Sequence, residues 1–241
     1  MDSTAIASLG ALTRYFSMHT YGVGCEEGGL LALYALRYQT YCLECGFLPP
    51  ADYPDGLEID AFDSRAAHFA ATNTEGHVAG TVRLVLSPNG EAFPFERHCP
   101  SFDDFKPPPS GEAAEVSRLA VRSQYRRRAG DTVFGFNTAT ADSNGSKSQS
   151  SERRTNSPLL VLGLYRQMYR YSCDNGIRYW YAAMERTLAR VLARFDFVFT
   201  PIGLERDYYG PVTPYLADLR EIEQRLAESK PELLEWFRHG L

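Results

Sequence analysis

Glu115, Ser117 and Arg118 stand close together in Glu115-Val-Ser-Arg118-Leu-Ala-Val121, a run whose alternation reads as a β-strand. Strict alternation puts Glu115, Ser117 and Leu119 on one face and Val116, Arg118 and Ala120 on the other. A carboxylate and a hydroxyl then occupy a strand face that is ordinarily apolar. Directly beyond lies a cationic turn, Arg126-Arg127-Arg128. A base beside a cradle for an anionic carrier is the equipment of a group-transfer enzyme. Upstream, Arg37 and Tyr41 sit one helical turn apart. An acidic run, Glu58 to Asp63, follows them, and Arg83 lies within an apolar strand.

The chemistry of an amine attacking a thioester suits these residue types. An α-amino group has a pKa of about 7.7–8.0, so much of it is protonated at neutral pH. A nearby carboxylate that takes the proton is worth about 10²–10⁴-fold in rate. Glu115 is the candidate base, and burial on a strand face would raise its pKa toward that of the amine. N–H donors for the developing oxyanion are expected from a bulge or splayed edge near Leu119. Arg37 or Arg83 can clamp an amino-acid carboxylate, while Asp60 and Asp63 either hold the ammonium end or fix those arginines. The same acids also fit a plain turn cap before the next strand. No Cys-His or Ser-His-Asp set is evident, so no covalent intermediate is called for.

The elements that must position these residues form a mixed α/β succession. The spacing of Leu30, Leu33, Arg37, Tyr41 and Cys45 predicts a helix over 28–45. Strands are expected over 66–72 and 78–86, joined at Asn73-Thr-Glu-Gly76. The strand carrying Glu115 comes next. The stretch 137–156 is polar and small, and it is expected to be a mobile insertion. Ser157-Pro158 opens a helix that Asn175-Gly176 closes. A strand over 177–184, a helix over 185–194, a strand over 195–202 and a helical extension over 217–238, broken before Pro231, complete one domain of 241 residues.

Bulk properties narrow the class. The chain is 44% hydrophobic and 13% aromatic, enough for a sizeable core, and its net charge of -5 argues against general nucleic-acid affinity. The aromatic series Tyr165, Tyr169, Tyr171, Tyr179, Trp180 and Tyr181 therefore reads as core and acyl-pocket wall. No run approaches about 18 apolar residues, and Met1 to Gly10 lacks a secretory pattern, so a cytoplasmic protein is expected. The five cysteines are irregularly spaced, and Cys42-x-x-Cys45 has no second pair, so no metal site is expected.

The order of elements and motifs resembles the GNAT superfamily of N-acyltransferases, and within it the acyl-homoserine-lactone synthases and N-acyl amino acid synthases. The similarity is greatest to the acyltransferases associated with exosortase and PEP-CTERM sorting systems. Arg37, Tyr41 and Phe47 match an early Arg-aromatic-aromatic series, and Asp60 and Asp63 match an acidic pair. Arg83 in Gly80-Thr-Val-Arg83-Leu84 and the Glu115-x-x-Arg118 pair match strand motifs. Tyr and Phe stand where the lactone synthases favour Phe and Trp.

The resemblance implies a mixed, mostly antiparallel sheet flanked by helices. It implies a catalytic Glu115 with Ser117, and a substrate site of Arg37, Tyr41, Phe47, Asp60, Asp63, Arg83, Arg118 and Leu119. Val121 and Arg126 to Arg128 would meet the donor. Gln124 to Gly130 lacks the Gly-rich pyrophosphate loop of acetyl-CoA users, which favours an acyl carrier protein thioester over acyl-CoA. No bound cofactor is implied. The expected partners are the carrier protein and a small amine or amino acid, with peripheral membrane contact through the acyl product. Two other readings remain: a short-chain acyl-CoA-dependent N-acetyltransferase, and a non-catalytic module that binds an acyl carrier or other partner.

Overall fold

The computed structural model describes residues 15–125 and 157–239. The expected insertion at 137–156 and the arginine triplet 126–128 lie outside the described residues. Eight strands form one sheet in the order β1-β2-β3-β4-β5-β8-β6, with β7 against β8. They are β1 (Phe16–Tyr21), β2 (Ala66–Asn73), β3 (Val78–Leu86), β4 (Ala113–Val121), β5 (Tyr179–Met184), β6 (Thr200–Pro201), β7 (Arg206–Asp207) and β8 (Pro211–Asp218). Every pairing is antiparallel except β4 with β5.

That parallel pair decides the shape. β4 and β5 are in register only at Ala113 with Tyr179, Ala114 with Trp180 and Glu115 with Tyr181. Beyond Glu115 the strands separate, and the β5-facing edge of β4 loses its sheet partner. The sheet opens there as a V.

Helix α1 (Leu31–Tyr38) covers one face of the sheet and α2 (Ser157–Asp174) the other. Leu33 and Leu36 of α1 pack with Ala70, Val78 and Ala120. On the opposite face Leu160, Leu164 and Met168 of α2 pack with Phe69, Val82 and Leu84. Gly80 permits that approach: a Cβ there would lie 2.6 Å from the Leu160 side chain. The helix α3 (Arg186–Ala193) follows β5, and α4 (Leu219–Ser229) and α5 (Pro231–Arg238) close the chain. Asp218 caps α4 by accepting from the Arg220 N–H at 2.9 Å, and Pro231 starts α5 where the sequence places a break.

Several expectations need correction. Strands β1, β7 and β8 were not anticipated. β8 includes Ala217 and Asp218, so the C-terminal helix starts at Leu219. The expected strand over 195–202 is reduced to Thr200–Pro201. Phe195, Phe197 and Phe199 are nevertheless buried. Their alternation mimics a strand, but they plug the core from a connection without sheet pairing. The strand at 177 begins at Tyr179.

Strict alternation also fails within β4. Thr81 faces Ala120 while Arg83 faces Ser117, so β4 carries one extra residue. Arg118 adopts φ +54° at this bulge, a left-handed conformation that costs a non-glycine residue about 1–2 kcal/mol. The bulge inverts the phase beyond it. Ala120 joins the α1 face, and Leu119 and Val121 pack toward α2. The sequence reading had placed Leu119 with Glu115, and Arg118 opposite to it.

Candidate active site

The acidic segment after α1 meets three arginines beneath the α1 face of the sheet. Arg37 donates from Nε to Glu58 Oε2 at 2.5 Å and from Nη1 and Nη2 to Asp63 at 2.7 and 3.1 Å. Arg83, projecting from β3, donates from Nη1 to Asp60 at 2.6 Å and Asp63 at 2.8 Å, and from Nε to Ser117 Oγ at 3.2 Å. Arg118 reaches back from the bulge to Glu58 at 3.1 Å and Asp60 at 3.1 Å. Three guanidiniums thus interlock with three carboxylates. The fork geometry of each arginine suits this shared, charge-assisted bonding.

Their ionisation follows. Burial pushes the Asp63 carboxyl up, but Arg37 and Arg83 more than offset it and hold it well below the usual carboxylate range. Glu58 and Asp60 are likewise lowered against burial, by Arg37 with Arg118 and by Arg83 with Arg118. His68 lies beside the cluster, 3.8 Å from Asp63. Burial drives its pKa down to about 4 despite that carboxylate, with Arg37 and Arg83 adding to the depression. It is a neutral imidazole at pH 7.

Arg37 and Arg83 are each only 1% exposed. The donors of Arg37 go to carboxylates, while Arg83 gives Nη1 to carboxylates and Nε to Ser117. The buried Nη2 of Arg83 has no hydrogen-bond partner among the described residues. The geometry is the one in which Asp60 and Asp63 fix the arginines. The same two carboxylates also cap the turn, Asp63 accepting from the Asp60 N–H at 2.8 Å and Asp60 from the Phe62 N–H at 2.9 Å. Glu58 was read only as part of an acidic run. Its role as the third carboxylate follows from the pairing of Arg37 and Arg118 around it, which spacing alone does not show.

Through Arg118 alone the cluster touches a cleft of about 380 Å³ in the V between β4 and β5. Glu115, Ser117 and Arg118 line it with Tyr41 and Phe47. Arg37, Asp60, Asp63, Arg83 and Val121 do not reach it. Two further residues were missed by the sequence reading. Tyr208 and Tyr209 enter from the turn joining β7 to β8. Tyr208 stacks on His98 with ring centroids 4.2 Å apart. Their Tyr-Tyr-Gly setting reads as a turn, and only the sheet order brings it over β4.

Tyr41 and Phe47 owe their position to an irregular helix end. After Tyr38 the helix widens into a π-helical segment over Gln39–Glu44, closed by the Cys45 N–H to the Thr40 carbonyl at 2.9 Å. Such segments add a residue to a turn and re-aim side chains. The Tyr41 carbonyl then accepts from the Phe47 N–H at 2.8 Å, which folds Phe47 back beside the Tyr41 ring at 6.4 Å. Arg118 lies over the same ring at 5.5 Å.

Glu115 is 2% exposed, and its pKa is pushed up to about 8 by burial. The Phe95 N–H, donating to Glu115 Oε2 at 3.0 Å, and the distant charges of Arg83 and Arg118 oppose that rise only in part. It makes no ion pair with Arg118. The site therefore holds a carboxyl poised near the pKa of an amine, beside a ribbon edge without a strand partner. That combination can accept a proton from an attacking nitrogen and present main-chain groups to a carbonyl.

Among the described residues no group of His, Cys, Asp and Glu is arranged to hold a metal ion, and no helix is long and apolar enough to cross a membrane.

Comparison with known proteins agrees with this architecture. Residues 36–134 match the family model described as an acetyltransferase (GNAT) domain. No protein of curated function matches the sequence. Among solved structures, TofI in a ternary complex with an inhibitor and MTA is similar at a TM-score of 0.60 and 16% identity, covering 90% of this chain and 99% of that one. BjaI, a CoA-dependent acyl-homoserine lactone synthase solved with SAM and isopentyl-CoA, gives 0.58 at 21% identity over 88% of this chain and 89% of that one. FeeM, an N-acyl amino acid synthase from uncultured soil microbes, gives 0.50 at 15% identity over 88% and 98%. Residues 36–134 are therefore similar to an acetyltransferase (GNAT) domain, and the chain has the fold of these acyl-homoserine lactone synthase structures.

Proposed function

We propose that the protein is an N-acyltransferase that joins a fatty acyl group to the amino group of an amino acid or similar small amine. The observation that carries this reading is the position of Glu115. It is a buried carboxyl with a pKa of about 8, at the last paired residue of β4 where the sheet opens into the cleft. The acyl thioester lies along the separated edge of β4. The amine nitrogen attacks the thioester carbonyl carbon, a C–N bond forms, and the C–S bond breaks to release the thiolate. Glu115, in its ionised form, takes the amine proton, which passes to the thiolate or to solvent.

Ser117 accepts from Arg83 and so has its own O–H free to donate into the cleft. Arg118, Tyr41 and Phe47 shape the acceptor end. The Arg37–Asp63–Arg83 network holds the bulge rigid from below. No part of this scheme requires a bound cofactor.

The donor is inferred to be an acyl carrier protein thioester, because residues 124–130, with Gly130 alone, lack the glycine pattern of a pyrophosphate loop. Arg126, Arg127, Arg128 and Val121 are the residues assigned to that contact. A CoA donor is the competing reading, and the CoA-dependent BjaI favours it. A cytoplasmic setting and a link to exosortase and PEP-CTERM sorting rest on motif resemblance alone.

The test is thiol release by purified protein from matched acyl-CoA and acyl-carrier thioesters, with a panel of amino acids. Release that needs both the carrier thioester and an amine supports the proposal. Release from acyl-CoA alone reassigns the donor. No release from either thioester contradicts the activity.

A further inference from the structure

Tyr181 stands opposite Glu115 in the β4–β5 pair, and it lines a second cavity, of about 240 Å³. Phe93, Tyr181 and the run Pro107 to Pro109 give this cavity apolar walls. Glu91 and Glu96 supply carboxylates, and among the described residues no lysine or arginine lines it. Tyr181 is 3% exposed. Its ring is held by Phe93 at 5.2 Å, Phe95 at 5.0 Å and Phe105 at 6.4 Å. Among the described residues nothing hydrogen-bonds its hydroxyl. Burial first, and then the Glu96 carboxylate, push its pKa up.

The two carboxylates are differently engaged. Glu91 is held by Asn89, whose side chain and N–H donate to it at 3.0 and 3.1 Å. Glu96 Oε2 accepts from the Phe93 N–H at 2.8 Å, while its Oε1 has no partner among the described residues.

A phenylalanine at 181 would make the same ring contacts, so packing does not explain the hydroxyl. Two carboxylates without a lining cation repel an anion and leave a neutral ligand without charge compensation. A primary ammonium matches what the cavity offers. It carries three N–H donors, enough for the Tyr181 oxygen and Glu96 Oε1 together, and its charge is attracted by an aromatic face such as that of Phe93. The volume lies below the about 300–1,000 Å³ typical of drug-sized ligands, which restricts the occupant to a small molecule. The proline and phenylalanine walls suit a short alkyl substituent.

We propose that this cavity is a second ligand site, selective for a small primary alkylammonium compound held by the Tyr181 oxygen and the Glu96 carboxylate. The assignment goes beyond acyl transfer and does not depend on it. Cavity and cleft share a wall: the turn Pro94–Arg97, which carries Glu96, also gives the Phe95 N–H to Glu115.

The test is calorimetric titration with n-propylammonium chloride and with 1-propanol, at matched ionic strength, of wild type, Glu96→Gln, Tyr181→Phe and Glu115→Gln. Glu96→Gln keeps an oxygen for the Phe93 N–H, and thermal unfolding confirms that each variant is folded. Wild type is expected to bind the ammonium at least about 10-fold more tightly than the alcohol. Glu96→Gln and Tyr181→Phe are each expected to weaken ammonium binding about 10-fold, the loss that follows removal of a charge-assisted hydrogen bond. Glu115→Gln is expected to bind it as wild type does. Equal affinity for amine and alcohol in wild type, or amine affinity unchanged in either cavity variant, overturns the inference. Amine affinity lost in Glu115→Gln and kept in Glu96→Gln places the amine in the cleft, which overturns the inference and leaves acyl transfer standing.

Discussion

The Tyr41 hydroxyl donates to the Leu119 carbonyl at 2.9 Å, joining the π-helical end of α1 to the bulge of β4. Two backbone irregularities are thus tied to each other across the mouth of the cleft. Neither is favoured by its local sequence. A left-handed Arg118 and a widened helix turn each carry a conformational cost, and such costs persist where the surroundings over-determine them.

Tyr41→Phe keeps the ring under Arg118 and removes only this bond. The expected stability loss is about 1 kcal/mol in urea unfolding, with a larger effect on kcat than on KM as the edge of β4 loosens. An unchanged kcat would show that the bulge holds its geometry without the helix.

Glu115→Gln is expected to reduce turnover by about 10²–10⁴-fold. The wild-type rate should rise with pH through about 8, where the carboxyl ionises, and the residual activity of the variant should lack that arm.

The same residue makes a stability prediction of opposite sense. Its folded pKa of about 8 lies above the ordinary value of 4.5. Between those values the folded protein keeps a proton that the unfolded chain releases, so raising the pH favours unfolding. Glu115→Gln cannot ionise and still has an oxygen for the Phe95 N–H. Its melting temperature should exceed that of wild type at pH 8 by more than at pH 5. A constant difference at both pH values would mean that Glu115 is not held protonated.

Arg37→Met leaves Glu58 and Asp63 buried with one guanidinium fewer between them. Breaking a buried network in this way costs about 3–5 kcal/mol, and denaturant unfolding measures it. Asp60, Asp63 and Glu58 have folded pKa values below their ordinary ones. Their stabilisation is present above the ordinary carboxylate range and is lost as pH falls through it toward the depressed values. Wild type should therefore lose stability steeply in acid, and Arg37→Met less steeply.

Much of this was legible in the sequence because local pattern and function coincide. The 28–45 helix, the 66–86 hairpin and the Glu115 strand were readable from apolar spacing and turn residues. The close of α2 at Asn175-Gly176 was readable too, with Gly176 at φ +71°. A bulge near Leu119 was expected and is present. Its consequence for phase was not, because one inserted residue leaves no compositional mark. Strand β8 was hidden by two prolines, Pro211 and Pro214, which argue against a strand until its position in the sheet is known. Tyr208 and Tyr209 became cleft residues only through that strand. Whether Arg37 and Arg83 face a ligand or a carboxylate is a question of burial, which spacing does not encode.

The central claim is that Glu115 serves acyl transfer to an amine in the β4/β5 cleft. Mass spectrometry of lipid extracts from cells producing wild type or Glu115→Gln tests it most directly. New N-acylated amino acids in the wild type, absent or reduced at least about 100-fold in a folded Glu115→Gln variant, are the predicted result. The same species at equal levels in both would contradict the role of Glu115. No new species in either, with a cognate carrier protein co-produced, would contradict the activity itself.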